Sequence, residues 1–171
     1  MFKNIILTGF MGVGKTSVGT RLAKDLGYVF VDTDELIEAD QKITITEIFS
    51  TFGEPYFRDV ETRVIKRLLE DEGQVISTGG GAVVRDENRK AFKENGVTIC
   101  LTAHPESIYG RIRHETHRPL LQGPDPQTKI RELLAAREPY YRQADFIVDT
   151  SERSVDSVIA EIKEKVRYAC C

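Results

Sequence analysis

The chain has 171 residues, a formal net charge of −3, and a composition that is 40% hydrophobic and 30% charged. This length fits one domain with a sizeable core, and the composition is ordinary for a globular chain. Because the slight negative charge excludes a broad basic surface, we expect no nucleic-acid partner. We expect any arginine clusters to bind small anionic ligands instead.

The first motif is a glycine-rich loop at residues 9–16, with the sequence Gly-Phe-Met-Gly-Val-Gly-Lys-Thr. It follows an apolar run that predicts a strand at 4–8, and it precedes a helical pattern at 15–26. G-x-x-x-x-G-K-[ST] in this context binds a nucleoside triphosphate, because backbone N–H groups and the helix N-terminus surround the phosphates. Lys15 reaches the β- and γ-phosphates, and the Thr16 hydroxyl binds Mg²⁺. A plain turn between strand and helix is the alternative.

The second predicted strand, 28–31, ends at Asp32-Thr33-Asp34. In open α/β sheets, ligands bind at the carboxyl ends of the strands, so these carboxylates are candidates for a binding site. The alternative is that they only cap the next helix, which we expect to reach about Asp40 with Thr33 or Asp34 as its cap.

An insertion then carries a short helix at 46–52, a break at Gly53 and a longer helix at 55–69. Arg58 and Glu61 lie three residues apart and therefore neighbour each other on one helix face. An isolated Arg–Glu pair on a solvated face is common and weak. Here we expect Glu61 to hold Arg58 for a substrate.

The third predicted strand, 75–77, leads into three glycines at 79–81. Such a run leaves no side chain between the backbone and a bound ligand, although a merely flexible turn is the alternative. A helix at 86–95 and a fourth strand at 97–101 follow.

The remaining chain begins with a helix that opens at Pro105 and carries Arg111. Residues 114–126 are polar, rich in turn formers and of the length of a lid. They contain Arg118, for which the alternative is an ordinary solvated loop charge. The last predicted elements are a helix at 127–143 that carries Arg137, a strand at 146–148, and a helix at 155–166 capped by Ser154.

Strands that alternate with helices predict an α/β fold, in which a parallel five-stranded sheet is covered by helices on both faces. The pattern describes one small P-loop kinase domain over residues 1–171, with a substrate-binding region at about 33–61 and a lid at about 114–126.

The three cysteines do not form a disulfide framework. Cys100 lies in an apolar run and is expected to be a buried small hydrophobe, while Cys170 and Cys171 are the last two residues. This cysteine usage predicts a reducing, cytoplasmic setting. No apolar run approaches the length of a membrane span, so we expect no membrane partner.

Six segments together resemble one family, shikimate kinase, within the nucleoside-monophosphate-kinase-like P-loop proteins. They occur in the family's order, and they are residues 9–16, 32–34, 57–61, 79–81, 118–121 and 137–141. The resemblance implies strand order 2-3-1-4-5. It also implies phosphorylation of the 3-hydroxyl of shikimate by ATP with Mg²⁺, which gives shikimate 3-phosphate and ADP in aromatic amino acid (chorismate) biosynthesis.

The resemblance further implies roles for individual residues. Asp34 binds the substrate hydroxyls and orients or deprotonates the attacking one, while Arg118 closes over the phosphates. The implied catalytic residues are Lys15, Asp34 and Arg118. The implied ATP-binding residues are Gly12, Val13, Gly14, Lys15, Thr16, Ser17, Arg111, Arg118 and Arg153. The implied substrate-binding residues are Asp34, Arg58, Gly79, Gly80, Gly81 and Arg137. The implied Mg²⁺ residues are Thr16 and Asp32.

The residue chemistry points the same way. Two arginines, Arg58 and Arg137, can each grip a planar carboxylate through paired N–H donors, which lysine cannot do. Asp34 supplies a carboxylate near the acceptor oxygen. The pattern therefore favours an acceptor with both a carboxylate and hydroxyl groups, and we expect a monomer whose partners are the small molecules ATP and shikimate.

Three alternatives stay open at this point. A gluconate kinase shares a P-loop, a lid and a hydroxylated acid acceptor, but Asp32-Thr33-Asp34 and the glycines at 79–81 favour shikimate. A GTP-binding switch would carry N-K-x-D and D-x-x-G motifs, which this sequence lacks. A domain that binds ATP without catalysis is disfavoured by the intact Lys15, Thr16 and Asp34.

Overall fold

The computed structural model describes residues 3–113 and 125–169. Over these residues the strands are β1 Asn4–Thr8, β2 Val29–Asp32, β3 Gln74–Ser77, β4 Val97–Thr102 and β5 Phe146–Asp149. The helices are α1 Lys15–Leu26, α2 Thr33–Gln41, α3 Ile45–Leu68, α4 Asp86–Asn95, α5 Pro105–Ile112, α6 Pro126–Tyr141 and α7 Val155–Ala169. A 3-10 turn, Ala82–Val84, follows the three glycines.

The strands form one parallel sheet in the order β2-β3-β1-β4-β5. This confirms the predicted three-layer α/β/α class and strand order. β1 lies in the centre with all five residues buried, as its unbroken apolar sequence predicts for a strand covered on both faces. β2 and β5 are the edges, where Val29 and Ile147 are exposed.

Alternation along β1 divides the core between the two faces of the sheet, because successive side chains point to opposite sides. Ile5 and Leu7 pack with residues of α1 and α7, whereas Ile6 packs with residues of α3 and α4. The sheet is thus fixed from both sides, and the loops at its carboxyl edge begin from a rigid base.

Helix α3 is broken where the sequence predicts it. Gly53 has φ 81° and ψ 171°, a conformation that strongly favours glycine, and it separates two helical segments. A capping box starts the first segment, since Thr44 Oγ1 accepts from Glu47 N at 3.2 Å and Glu47 Oε2 accepts from Thr44 N at 2.8 Å. The second segment carries Arg58 and Glu61.

The predicted cap of α2 was wrong. Asp32, rather than Thr33 or Asp34, is the N-cap, and its Oδ1 accepts from Asp34 N at 2.9 Å. An N-cap residue needs a non-helical backbone, and Asp32 still has the extended geometry of β2, with φ −107° and ψ 124°. The cap predicted at Ser154 is confirmed by its hydroxyl, which accepts from Ser157 N at 3.2 Å.

Among residues 3–113 and 125–169, we find no helix with both the length and the apolar character needed to cross a membrane.

Candidate active site

The site lies at the carboxyl edge of the sheet, where β1, β2 and β3 end side by side. Parallel strands bring these ends to one edge. The loop after β1 is the glycine-rich loop 9–16, the turn after β2 carries Asp32 and Asp34, and β3 leads into the glycine turn, which we define as Gly79–Gly81.

The loop after β1 depends on glycine at several positions. Gly9, Gly12 and Gly14 have φ of 130°, 75° and 97°, which L side chains rarely adopt. A Cβ on Gly12 would also lie 2.6 Å from Ile112 Cγ2 on α5. The loop therefore keeps its curled backbone and delivers the chain to the N-terminus of α1 at Lys15.

Lys15 lies across this loop. Its Nζ donates to the carbonyl oxygens of Gly9 and Phe10, both at 2.9 Å. Thr16 and Ser17 follow on the first turn of α1, where both are exposed. A cation and two hydroxyls thus accompany the first N–H groups of helix α1, which is the arrangement that binds phosphate.

Two carboxylates flank the start of the glycine turn. A Cβ built on Gly79 would lie 2.9 Å from Glu61 Oε1 and 3.0 Å from Asp34 Oδ1. These oxygens come from α3 and α2 respectively, and only a residue without a side chain fits between them.

Two guanidinium groups face the rest of the turn. A Cβ on Gly81 would collide with the Arg58 guanidinium, and a Cβ on Gly80 would lie 3.4 Å from Arg137 Nη1. The structure therefore brings together Asp34, Arg58, Arg137 and the glycine turn, all of which the sequence singled out.

Arg58 and Glu61 form a buried ion pair rather than a solvated one. Arg58 Nη1 lies 2.7 Å from Glu61 Oε2, and the two side chains are 11% and 0% exposed. Glu54 also accepts from Arg58, with Oε1 at 3.0 Å from Nη2. The pairing is thus confirmed, and the alternative of a surface pair is wrong.

Glu61 has an unusual environment for a carboxylate. Burial, together with the smaller effect of the nearby Asp34 charge, raises its pKa to about 7 against the opposing effect of Arg58. Its Oε1, which faces Gly79, has no hydrogen-bond partner among residues 3–113 and 125–169. Glu61 therefore titrates near neutrality at the centre of the site.

Arg137 contacts a residue of the glycine-rich loop 9–16. Its side chain lies with Cζ 5.7 Å from the centre of the Phe10 ring, within cation–π range, and Arg137 is 8% exposed. One helical turn later, Tyr141 donates from its hydroxyl to Gly80 O at 2.6 Å. Sequence reasoning assigned Tyr141 no role, although its spacing of four from Arg137 places both on one helix face.

Arg111 lies beside the phosphate-binding loop. Its Nη1 donates to Gly12 O at 3.1 Å, and its Nη2 donates to Thr150 O at 2.8 Å. Thr150 Oγ1 in turn donates to Val13 O at 2.9 Å. Thr150 is a residue that sequence reasoning missed, and it ties the end of β5 to the loop.

Arg153 lies two residues before the start of α7. Its Nη1 donates to Glu161 Oε2 at 2.6 Å and to Asp149 O at 3.0 Å, and its Nε donates to Ser157 Oγ at 3.0 Å. These bonds tie β5 to α7. A contact between Arg153 and the adenine of ATP stays a prediction.

The family model for shikimate kinase matches residues 11–167. The chain belongs to the shikimate kinase family. It is 51% identical to a shikimate kinase from Thermodesulfovibrio yellowstonii over 160 residues, which are 94% of this chain and 92% of that protein. A shikimate kinase from Symbiobacterium thermophilum is 50% identical over 167 residues, 96% of each chain.

Among solved structures, the shikimate kinase from Acinetobacter baumannii in complex with shikimate matches with a TM-score of 0.95 and 36% identity. The match covers 99% of this chain and 95% of that one. Membership of the family excludes the alternatives of a gluconate kinase and a GTP-binding switch.

Arg118 and residues 114–124 of the predicted lid lie outside the described residues. Within the described ranges, no group of three or more His, Cys, Asp and Glu side chains is arranged to hold a metal ion. The residues predicted for Mg²⁺, Thr16 and Asp32, offer one hydroxyl and one carboxylate, and Mg²⁺ commonly combines such a small protein set with water and phosphate oxygens.

Proposed function

We propose that this chain transfers the γ-phosphoryl group of ATP to the 3-hydroxyl of shikimate, which gives shikimate 3-phosphate and ADP in the biosynthesis of aromatic amino acids. One observation carries the proposal. Two carboxylates and two guanidinium groups surround the glycine turn, which lies directly beside the phosphate-binding loop. The likeness to the Acinetobacter baumannii enzyme in complex with shikimate supports it.

Arg58 and Arg137 bind the carboxylate of the acceptor. Both present planar, charged donors that match a carboxylate, and both are largely buried. The bonds from Arg58 to Glu61 and Glu54 hold its guanidinium in place before the acceptor arrives. Such preorganisation lowers the entropy cost of binding.

Asp34 binds and orients the acceptor hydroxyl and accepts its proton. Phosphoryl transfer depends mainly on positioning and on neutralising charge. On the acceptor side, the protein therefore needs only a fixed carboxylate beside the hydroxyl. A Cβ on Gly80 would lie 3.4 Å from Gly9 O, so the glycine turn near Asp34 also contacts the phosphate-binding loop. The acceptor and the γ-phosphate are thereby brought to neighbouring positions.

The nucleotide side rests on the loop and the start of α1. We assign the phosphates of ATP to the backbone N–H groups from Gly12 to Ser17 and to the Lys15 ammonium group. Thr16 and Asp32 would hold Mg²⁺, which neutralises charge on the phosphate oxygens when bound. Arg111 and Arg153 on the adenine side, and Arg118 over the phosphates, follow from the resemblance to the family.

A monomeric, cytoplasmic enzyme with ATP and shikimate as its small-molecule partners completes the proposal. The net charge of −3 offers no broad basic surface for nucleic acid, and the free, fully buried Cys100 fits a reducing compartment. Burial raises the pKa of the Cys100 thiol to about 11, so it stays a protonated hydrophobe.

Product analysis tests the proposal. We would incubate the protein with ATP, Mg²⁺ and shikimate, and locate the new phosphate by ¹H–³¹P NMR correlation. A cross-peak to the proton on carbon 3 is expected. A phosphate on another oxygen, or ADP formation without phosphorylated shikimate, would contradict the proposed reaction.

A further inference from the structure

The glycine turn has no side chains of its own to hold its shape. Part of its backbone is satisfied locally, since Ala82 N donates to Gly79 O at 3.0 Å and Val84 N donates to Gly81 O at 3.1 Å. Two further groups, the N–H of Gly79 and the carbonyl of Gly80, are bound by side chains from other elements.

The first of these side chains is Thr33. Its Oγ1 accepts from Gly79 N at 3.2 Å. Thr33 is fully buried and is the first residue of α2, between Asp32 and Asp34. The segment that supplies Asp34 to the site therefore also binds the glycine turn.

The second side chain is Tyr141, whose hydroxyl donates to Gly80 O at 2.6 Å. Its ring is 6% exposed and packs with Val83 and Cys100. Burial raises the pKa of Tyr141 to about 12, so the hydroxyl keeps its proton and donates throughout the neutral range. The helix that supplies Arg137 thus holds the turn from the other side.

We propose that Thr33 and Tyr141 are positioning residues, which fix the glycine turn between the acceptor-binding groups of α2 and α6. The role rests on the proposed function, because the resemblance places Gly79, Gly80 and Gly81 among the shikimate-binding residues. Each bond connects the turn to the element that carries an acceptor group, Asp34 in one case and Arg137 in the other. Loss of either bond lets the turn move relative to that group.

Thr33→Val tests the first bond, because valine has nearly the same shape but cannot accept a hydrogen bond. We expect the KM for shikimate to rise about twofold to tenfold, as for the loss of one neutral hydrogen bond. The KM for ATP should change less. Thr33→Ser keeps the hydroxyl and should restore most of the wild-type KM for shikimate.

Tyr141→Phe tests the second bond and keeps the ring packed. We again expect a rise of about twofold to tenfold in the KM for shikimate. The matched control is Tyr140→Phe, on the adjacent position, where the centre of the ring lies 5.0 Å from Arg89 Cζ. The control should behave as wild type.

Two results would overturn the positioning role. One is an unchanged KM for shikimate in both Thr33→Val and Tyr141→Phe, even with a lower melting temperature, since that pattern marks a purely structural role. The other is an equal rise in both KM values. If Thr33→Val does not fold, Tyr141→Phe decides alone. A wild-type protein that does not phosphorylate shikimate would instead contradict the proposed function itself.

Discussion

At the scale of single residues, the acceptor side is built from charges removed from water. Such burial is costly, and each partner of a buried pair depends on the other. Glu61 is fully buried and Arg58 is 11% exposed, so neither side chain is free to relax into solvent. We infer that the pair fixes the direction of the Arg58 guanidinium more than it stabilises the fold.

Asp34→Asn tests the assignment of the proton acceptor. The amide keeps the size of the side chain but loses its negative charge, and positioned proton transfer contributes roughly 10²–10⁴-fold in enzymes. We expect turnover to fall by that order while ATP binding, measured by calorimetry, survives. Asp40→Asn, near the end of the same helix, is the matched control. Near-normal turnover of Asp34→Asn would remove Asp34 from the chemistry.

Arg137→Lys tests the carboxylate grip. Lysine keeps the charge but loses the planar pair of donors. Loss of one charge-assisted hydrogen bond, about 1.5 kcal/mol, raises the KM for shikimate about tenfold, with little change for ATP. Arg142→Lys, at the exposed position that follows α6, should change neither constant. Steady-state kinetics at varied shikimate concentration measure both constants. A KM for shikimate in Arg137→Lys equal to that of the wild type would refute the role.

Glu61 predicts a pH dependence of stability with a defined sign. Its pKa is about 7 in the fold and 4.5 for an unperturbed glutamate. The folded state therefore binds more protons between these values. The contribution of Glu61 is fully present below pH 4.5 and is lost as the pH rises through about 7.

The comparison with Glu61→Gln isolates this contribution, because glutamine does not titrate. Between pH 4.5 and 7 the free energy of unfolding of the wild type should fall more steeply than that of the variant. The slopes should differ by up to about 1.4 kcal/mol per pH unit. Denaturant titrations at several pH values measure both slopes, and parallel slopes would show that Glu61 ionises near its ordinary pKa.

At the scale of elements, the glycine turn and α3 fit together at one position. Gly81 has φ −99° and ψ −3°, which alanine can adopt, but its Cβ would collide with the Arg58 guanidinium. Gly81→Ala should therefore displace Arg58 and leave the backbone intact. A lost hydrogen bond to a charged group, about 1.5–3 kcal/mol, raises the KM for shikimate roughly 10–100-fold.

The matched control for Gly81→Ala is Gly110→Ala on α5, where a Cβ would meet nothing within 4 Å. This change should raise stability by about 0.5–1 kcal/mol and leave the kinetics unaltered. If Gly81→Ala bound shikimate as tightly as wild type, the close approach of the turn to Arg58 would have no role in acceptor binding.

The helices and turns show which features the sequence predicts and which it does not. Glycine and proline signals are local, so the break at Gly53 and the helix start at Pro105 were predicted and are confirmed. A cap at Asp32 entered only through the alternative for the two carboxylates, because the choice among Asp32, Thr33 and Asp34 depends on where β2 ends. The bonds of Thr150 to Val13 and of Tyr141 to Gly80 join residues 137 and 61 positions apart, and no local pattern records them.

At the scale of the whole molecule, the parallel sheet assembles the site from distant parts of the chain. Lys15, Asp34, Arg58 and Arg137 come from α1, α2, α3 and α6. The sequence predicted these residues one by one, and the topology brings their elements to one edge. Their mutual distances follow from packing between layers, which a sequence pattern does not encode.

The central claim is that this edge selects an acceptor that carries a carboxylate and hydroxyl groups in the geometry of shikimate. The most direct test is a coupled assay of ADP release with ATP and Mg²⁺, in which shikimate, gluconate, quinate and a nucleoside monophosphate are compared at equal concentration. We predict that shikimate stimulates ADP release far above the other three. Equal turnover with gluconate would contradict the account.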